Sequence, residues 1–176
     1  TQNFTTATNT YNVAAGYFSG ANITTGIQNT LIGGLAGDAL TDADFNIAIG
    51  YGALSSDTLG SHSVAIGRNA LVLQNFTTAT DAYNVAIGSA AGNVLTTGLR
   101  NTLIGGLAGD ALTDADNNVA IGQAALSTDT LGSNSVAIGR NALLLQNFTT
   151  ATNAYNVAIG SDAGAAVTTG EGNTFV

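Results

Sequence analysis

The sequence predicts an all-β chain folded as a repetitive β-solenoid or β-roll of about ten coils, and three observations predict it. First, the pentapeptide Asn84-Val85-Ala86-Ile87-Gly88 recurs along the whole chain, its glycine returning at Gly16, Gly33, Gly50, Gly67, Gly88, Gly105, Gly122, Gly139 and Gly160. The steps are 17, 17, 17, 21, 17, 17, 17 and 21 residues, and Asn173-Thr174-Phe175-Val176 begins a further copy. Self-similarity at a fixed period signifies stacked supersecondary units. Second, the residues before each glycine alternate with period two and are rich in β-branched types, as short strands do, while nothing holds a helical period. Third, the chain contains no proline. That suits continuous backbone ladders, because proline cannot donate to one.

The coils group into super-repeats of 72 residues, marked by Gln2, Gln74 and Gln146, so residues 1–176 read as one array divided into 2–73, 74–145 and a partial 146–176. The first two copies share 54 of 72 positions. Within a coil the elements come in a fixed order. The strand carries Val, Ile or Thr three before the glycine, Ala (or Leu31 and Leu103) two before it, and Ile immediately before it, with Ala15 as the exception. Both strand faces are apolar, which fits a strand covered on both sides. A turn follows the glycine. Three residues on, only Ser19 or Ala appears (Ala36, Ala53, Ala70, Ala91, Ala108, Ala125, Ala142, Ala163), a tight interior corner. A second, weaker strand is expected to end at Ile23, Leu40, Leu95, Leu112 or Val167, before Thr24-Thr25-Gly26 or Asp42-Ala43-Asp44 turns the chain back. Parallel coils at about 4.8 Å then make a rod roughly 50 Å long.

The larger file is expected to be the core: Ile49, Ile66, Ile87, Ile104, Ile121, Ile138 and Ile159, with Val64, Val85, Val119 and Val136 beside it. One such coil is thin, and small cores need further support. The Ala48, Ala65, Ala86, Ala120 and Ala137 file, with Leu31 and Leu103, is therefore expected to lie against another copy of the chain in a homotrimer. An end-to-end polymer is the alternative assembly, since the sequence begins and ends in mid-repeat without polar caps, as a segment of a longer array would.

Composition limits the partners. The net charge is −8, and Arg68, Arg100 and Arg140 are the only fixed cations, so no basic footprint for nucleic acid exists. The absence of cysteine removes disulfides and thiolate metal sites. No apolar run approaches the roughly 20 residues of a membrane-spanning helix, so membrane insertion is not expected, and no signal peptide is visible.

Several residue sets carry candidate chemistry. Asn12, Asn29, Asn46, Asn84, Asn101, Asn118 and Asn156 stand four before their glycines, with Ser63 and Ser135 in the remaining units. They read as a structural amide ladder from coil to coil in preference to a row of sugar-binding amides. Asp38, Asp42 and Asp44, with Asp110, Asp114 and Asp116, follow Gly-Gly-Leu-Ala-Gly turns that faintly resemble calcium-binding repeats, and calcium takes 6–8 oxygen ligands. Solvated turns are the plainer account, and no other cofactor is implied. Asn3, Asn75 and Asn147 each open an Asn-Phe-Thr sequon on the longest loop and are candidates for glycosylation. The threonines Thr24, Thr41, Thr58, Thr96, Thr113, Thr130 and Thr168 read as a hydrogen-bonded ladder in preference to an ice-binding array, because the neighbouring file is mixed. Catalysis has no material: His62 is the only histidine and Glu171 the only glutamate. No acid–base or nucleophile–base set can be assembled, and an enzyme is not expected.

At Ser63-Val64-Ala65-Ile66-Gly67 and Asn134-Ser135-Val136-Ala137-Ile138-Gly139 the chain resembles the head repeats of trimeric autotransporter adhesins, and its Asn-Val-Ala-Ile-Gly and Asn-Thr-Leu-Ile-Gly spellings look like repeat regions of bacteriophage tail fibres. The resemblance implies a homotrimeric parallel β-roll located outside the cell, on its surface or on a virion. The expected function is that of a non-enzymatic structural fibre or adhesin segment. A self-polymerising surface filament, or a solenoid binding glycan, calcium or ice, stands as the alternative. The expected partners are other copies of the chain and a cell-surface glycan or receptor.

Overall fold

Each copy of the motif folds as a three-residue strand, because β-branched residues flank a small central one and the glycine then ends the run. In the computed structural model, which describes residues 9–176, these strands are β1 (Val13–Ala15), β2 (Thr30–Ile32), β3 (Ile47–Ile49), β5 (Val64–Ile66), β7 (Val85–Ile87), β8 (Thr102–Ile104), β9 (Val119–Ile121), β11 (Val136–Ile138) and β13 (Val157–Ile159), with the two-residue β14 (Thr174–Phe175) closing the series. They form one ten-stranded parallel sheet in chain order. The register never slips: Ala14 pairs Leu31, Leu31 pairs Ala48, and so on to Ala158 opposite Phe175. The chain is an all-β parallel solenoid of about ten coils.

The motif glycine is fixed by geometry. Gly33 has φ +130°, and a Cβ there would lie 2.6 Å from the carbonyl oxygen of Gly50 in the next coil. No side chain can enter that corner while the coils keep ladder spacing.

The assignment of inside and outside reverses the sequence expectation. Leu31, Ala48, Ala65, Ala86, Leu103, Ala120, Ala137 and Ala158 are fully buried in the interior of the coil. The isoleucines Ile49, Ile66, Ile87, Ile104, Ile121, Ile138 and Ile159 are not the core; they stand on the outer face of the sheet, half-buried or exposed, together with the valines. The physical reason is volume. With turns at both ends, each strand sends only its middle residue into an interior about one side chain wide. The side-chain period of two then puts both flanking residues outside.

The interior is filled by compensation between two corners. Where the seventh residue after the motif glycine is a large apolar one (Ile23, Leu40, Leu95, Leu112), the fourth is glycine (Gly20, Gly37, Gly92, Gly109). A Cβ on Gly37 would meet Leu31 and Leu40 side chains at 2.7 and 2.8 Å. Where the fourth is Leu54, Leu71, Leu126 or Leu143, all fully buried, the seventh is Asp57, Gln74, Asp129 or Gln146. Each coil thus places a large apolar side chain at one of two corners, and the coils of β2 and β8 add Leu31 and Leu103 at the strand centre, with packing kept close by the glycine opposite.

The second strand expected to end at Ile23, Leu40, Leu95, Leu112 or Val167 does not form. Turns occupy Ser19–Asn22 and Ala36–Ala39, and the coils are joined there by single backbone bonds such as Thr41 N to the Thr58 carbonyl. Among the described residues, further paired residues occur only where a 21-residue coil stacks on the 17-residue coil before it, β4 (Gly60–Ser61) with β6 (Thr80–Asp81) and β10 (Gly132–Ser133) with β12 (Thr152–Asn153).

Candidate functional site

The asparagine column is internal and engages backbone. Each Oδ1 accepts from the backbone N–H of the equivalent residue one coil on, as in Asn29 N to Asn12 at 2.7 Å and Asn118 N to Asn101 at 3.0 Å. Each Nδ2 donates to a carbonyl fourteen residues on, as in Asn29 to Ala43 and Asn101 to Ala115, both at 2.7 Å. Asn29, Asn46, Asn84, Asn101, Asn118 and Asn156 are fully buried, so none can meet a sugar. Direct amide-to-amide bonds are longer, 3.3 Å between Asn101 and Asn84. The side chains clamp the backbone of the next coil, and the amides touch one another only secondarily.

At Ser63 and Ser135 the column is carried on by a different residue. Gln74 Nε2 donates to Ser63 Oγ at 2.9 Å and to Asp57 Oδ2 at 2.6 Å, while its Oε1 accepts from Asn84 Nδ2 at 2.9 Å. Asp57 Oδ1 accepts from the Gly60 and Phe76 N–H groups, both at 3.0 Å. Gln146, Asp129, Ser135 and Asn156 repeat the arrangement four coils on. Asp57 and Gln74 are fully buried with no cation beside them; the carboxylate is held by N–H donors alone, as buried charge demands. The sequence reading missed this cluster. Its signal was the serine in the asparagine column combined with the polar residue seven after the glycine.

That cluster anchors the long loop. Phe76 and Phe148 are buried against it, while Thr77, Thr78 and Ala79 are exposed at the tip. The sequon residue Asn75 is exposed and accepts from Thr58 Oγ1 at 3.2 Å; Asn147 is half-buried and accepts from Thr130 Oγ1 at 3.1 Å. Asn3 lies outside the described residues. The threonine hydroxyls donate to backbone carbonyls of the next coil, as Thr41 does to Thr58 at 3.0 Å.

The six aspartates proposed for calcium are not brought together. Asp44 and Asp116 each accept a backbone N–H from the preceding coil, Ile27 and Leu99, at 2.7 Å. Asp42 and Asp114 accept the Thr25 and Thr97 hydroxyls. Asp38 and Asp110 each bury one Oδ1 without a hydrogen-bond partner. Burial raises the pKa of both, with their own backbone N–H groups opposing it. Among the described residues no three acidic or histidine side chains form a metal-ligand set. The reason is local: the Asp42, Asp44, Asp114 and Asp116 carboxylates each serve the neighbouring coil, and the coil-to-coil direction keeps the two clusters four coils apart.

Two surfaces remain. The outer face of the ten-stranded sheet presents Val or Ile from every coil. Val13 is 52% exposed, Ile32 40% and Ile159 45%. Beside it, immediately before the asparagine column, runs a file of left-handed residues, one per coil: Tyr11, Gln28, Phe45, His62, Tyr83, Arg100, Asn117, Asn134 and Tyr155, with φ between 49° and 61°. Phe45 stacks on His62 at 4.8 Å between centroids, and His62 on Tyr83 at 5.0 Å. His62 Nδ1 lies 3.1 Å from Asp81 Oδ1. On the opposite edge Arg140 pairs with Asp162 at 2.9 Å; the Asn141 amide, Ser161 hydroxyl and Arg140 guanidinium together hold that exposed carboxyl below its usual range.

Compared with family models, curated proteins and solved structures, the chain matches none of them. The solenoid architecture therefore stands on the structure itself, and the likeness to adhesin and tail-fibre repeats remains one of motif.

Proposed function

We propose that the chain is a non-enzymatic structural rod that associates side by side with copies of itself, as a homotrimer, and serves attachment outside the cell or on a virion. The observation that carries this is the outer Val/Ile face. An antiparallel or solvent-facing sheet normally alternates apolar inside with polar outside. Here the outward positions are apolar along all ten strands, broken only by Thr30, Thr102 and Thr174. Nine steps of about 4.8 Å make this a strip roughly 43 Å long. Contiguous exposed apolar area of that extent marks an interface, and its uniform repetition suits a partner with the same period, which is another copy of the chain. The neighbour-facing surface is thus the Val/Ile file instead of the Ala/Leu file anticipated from the sequence. The motif vocabulary shared with adhesin heads and tail fibres supports the setting.

Sedimentation velocity tests this. The parent should run at trimer mass, and the double variant Ile87→Asp, Ile121→Asp should run as a monomer with an unchanged circular dichroism spectrum. A parent that stays monomeric over the whole concentration range would remove the side-by-side rod.

A further inference from the structure

The two edges of the Val/Ile face change together along the chain. Phe45 precedes β3 on one edge and Tyr51 follows it on the other, and 72 residues on both rings have become amides, Asn117 and Gln123. Arg68 and Arg140 also hold equivalent places, each exposed and directly after a motif glycine. Arg140 is paired within its own chain with Asp162, one coil on, at 2.9 Å. The residue in the matching place one coil on from Arg68 is Ala90. Among the described residues Arg68 has no acidic partner.

The acid absent from that edge stands on the other. Asp81 also lies one coil on from Arg68, paired in register with Ser61, and sits beside His62 with its side chain 59% exposed. The residue equivalent to Asp81 near Arg140 is Asn153, a neutral amide that accepts from Asn134 Nδ2 at 2.8 Å. Each of these arginines thus has an edge carboxylate one coil on, at its own edge for Arg140 and at the opposite edge for Arg68. The full width of the Val/Ile face separates Arg68 from Asp81, so one chain does not join them. A second chain can.

We propose that side-by-side copies lie parallel with their coils level, Arg68 of each copy meeting Asp81 on the opposite edge of the next. This rests on the side-by-side reading and adds its direction and register. Rotation about the rod axis brings one edge of a copy against the opposite edge of its neighbour at the same level, and a closed ring repeats that contact at every junction. The step from Arg68 to Asp81 is then the same one-coil step that Arg140 takes to Asp162. An antiparallel pair would set each edge against its own kind, with the levels reversed. Burial alone does not choose between these, because the Val/Ile face is nearly the same in every coil and a uniform face slips readily. Charges at the rim do choose, since they fix register and penalise wrong pairings. A slip by one super-repeat would keep almost every apolar contact, yet it would leave Arg68 against Asn153.

Sedimentation equilibrium of the parent, Arg68→Asp, Asp81→Arg and the charge-swapped double variant tests it. Each single change should raise the concentration of half-dissociation at least about tenfold, because like charges then meet at every junction. The double variant should return to within about threefold of the parent, and about 1 M NaCl should bring all four together. An assembled parent whose double variant is no better than the singles would overturn the pairing and leave the side-by-side rod standing; a monomeric parent would remove both. A second variant reads the topology without charge. The chain has no cysteine, so Arg68→Cys combined with Asp81→Cys and treated with a short bis-maleimide should give covalently linked trimers on a denaturing gel. Either cysteine alone should give only monomers. Linkage through Arg68→Cys alone would show like edges meeting, and no linkage in an assembled double variant would show the two positions apart; either result overturns the proposal.

Discussion

The copy beginning at Gln2 and the copy beginning at Gln74 differ at 18 of 72 positions, and the differences are not spread evenly. The strand centres Leu31 and Leu103, the corner leucines Leu54 and Leu126, and the polar cluster of Asp57 and Asp129 are the same in both. Interior changes are small, Ile23 against Leu95 and Ser19 against Ala91. Most of the remaining changes lie on the surface, where rings give way to small or polar residues. Two lessons follow. The interior, one side chain wide and close-packed, admits almost no variation. The surface is free to vary coil by coil, because each coil contacts only its neighbours.

The comparison breaks most readily at the buried polar cluster. Gln74→Ala should remove the donor to Asp57 and Ser63 and the acceptor for Asn84, at a cost of roughly 3 kcal/mol. Gln146→Ala should cost about the same, since its partners are identical. Urea unfolding followed by circular dichroism measures both; a large inequality would show that the two copies are not energetically equivalent inside.

A smaller effect sharpens the same comparison. The carboxyls of Asp38 and Asp110 are raised by burial, so the folded state holds their protons to higher pH than the unfolded chain does. Stability from that protonation is present below the ordinary carboxylate value of about 3.9 and is lost as pH rises through the raised value. Asp38→Asn and Asp110→Asn should therefore melt higher than the parent at neutral pH, with the difference vanishing in acid. Melting curves at several pH values decide it, and a gain independent of pH would deny the role of desolvation.

The period, the parallel coils and the small residue three after each glycine were legible in the sequence, because each repeats without exception or nearly so; the asparagine column was legible as a repeat, but its burial and its grip on backbone were not. The inside of the strand was not. Val85, Ala86 and Ile87 are all apolar, so hydrophobicity alone could not choose between the faces. Enclosed volume chose, and its trace was the exchange of Gly37 with Leu40 for Leu54 with Asp57. The second strand failed for a related reason: Gly, Asn and Asp at Gly20, Asn22 and Asp38 favour turns over pairing. The stack of Phe45, His62 and Tyr83 was not legible, because the exposure and left-handed backbone of its column appear only in the structure.

Leu103 faces into the coil and its neighbour Ile104 faces out. Urea unfolding of Leu103→Thr and Ile104→Thr at matched concentration tests it most directly, since threonine keeps strand propensity while removing apolar volume. Leu103→Thr should lose roughly 3 kcal/mol, as large-to-small changes in a closed interior do, while Ile104→Thr should stay within about 1 kcal/mol of the parent. The opposite order, with Ile104→Thr the more damaging, would put the isoleucine file back inside and contradict the account.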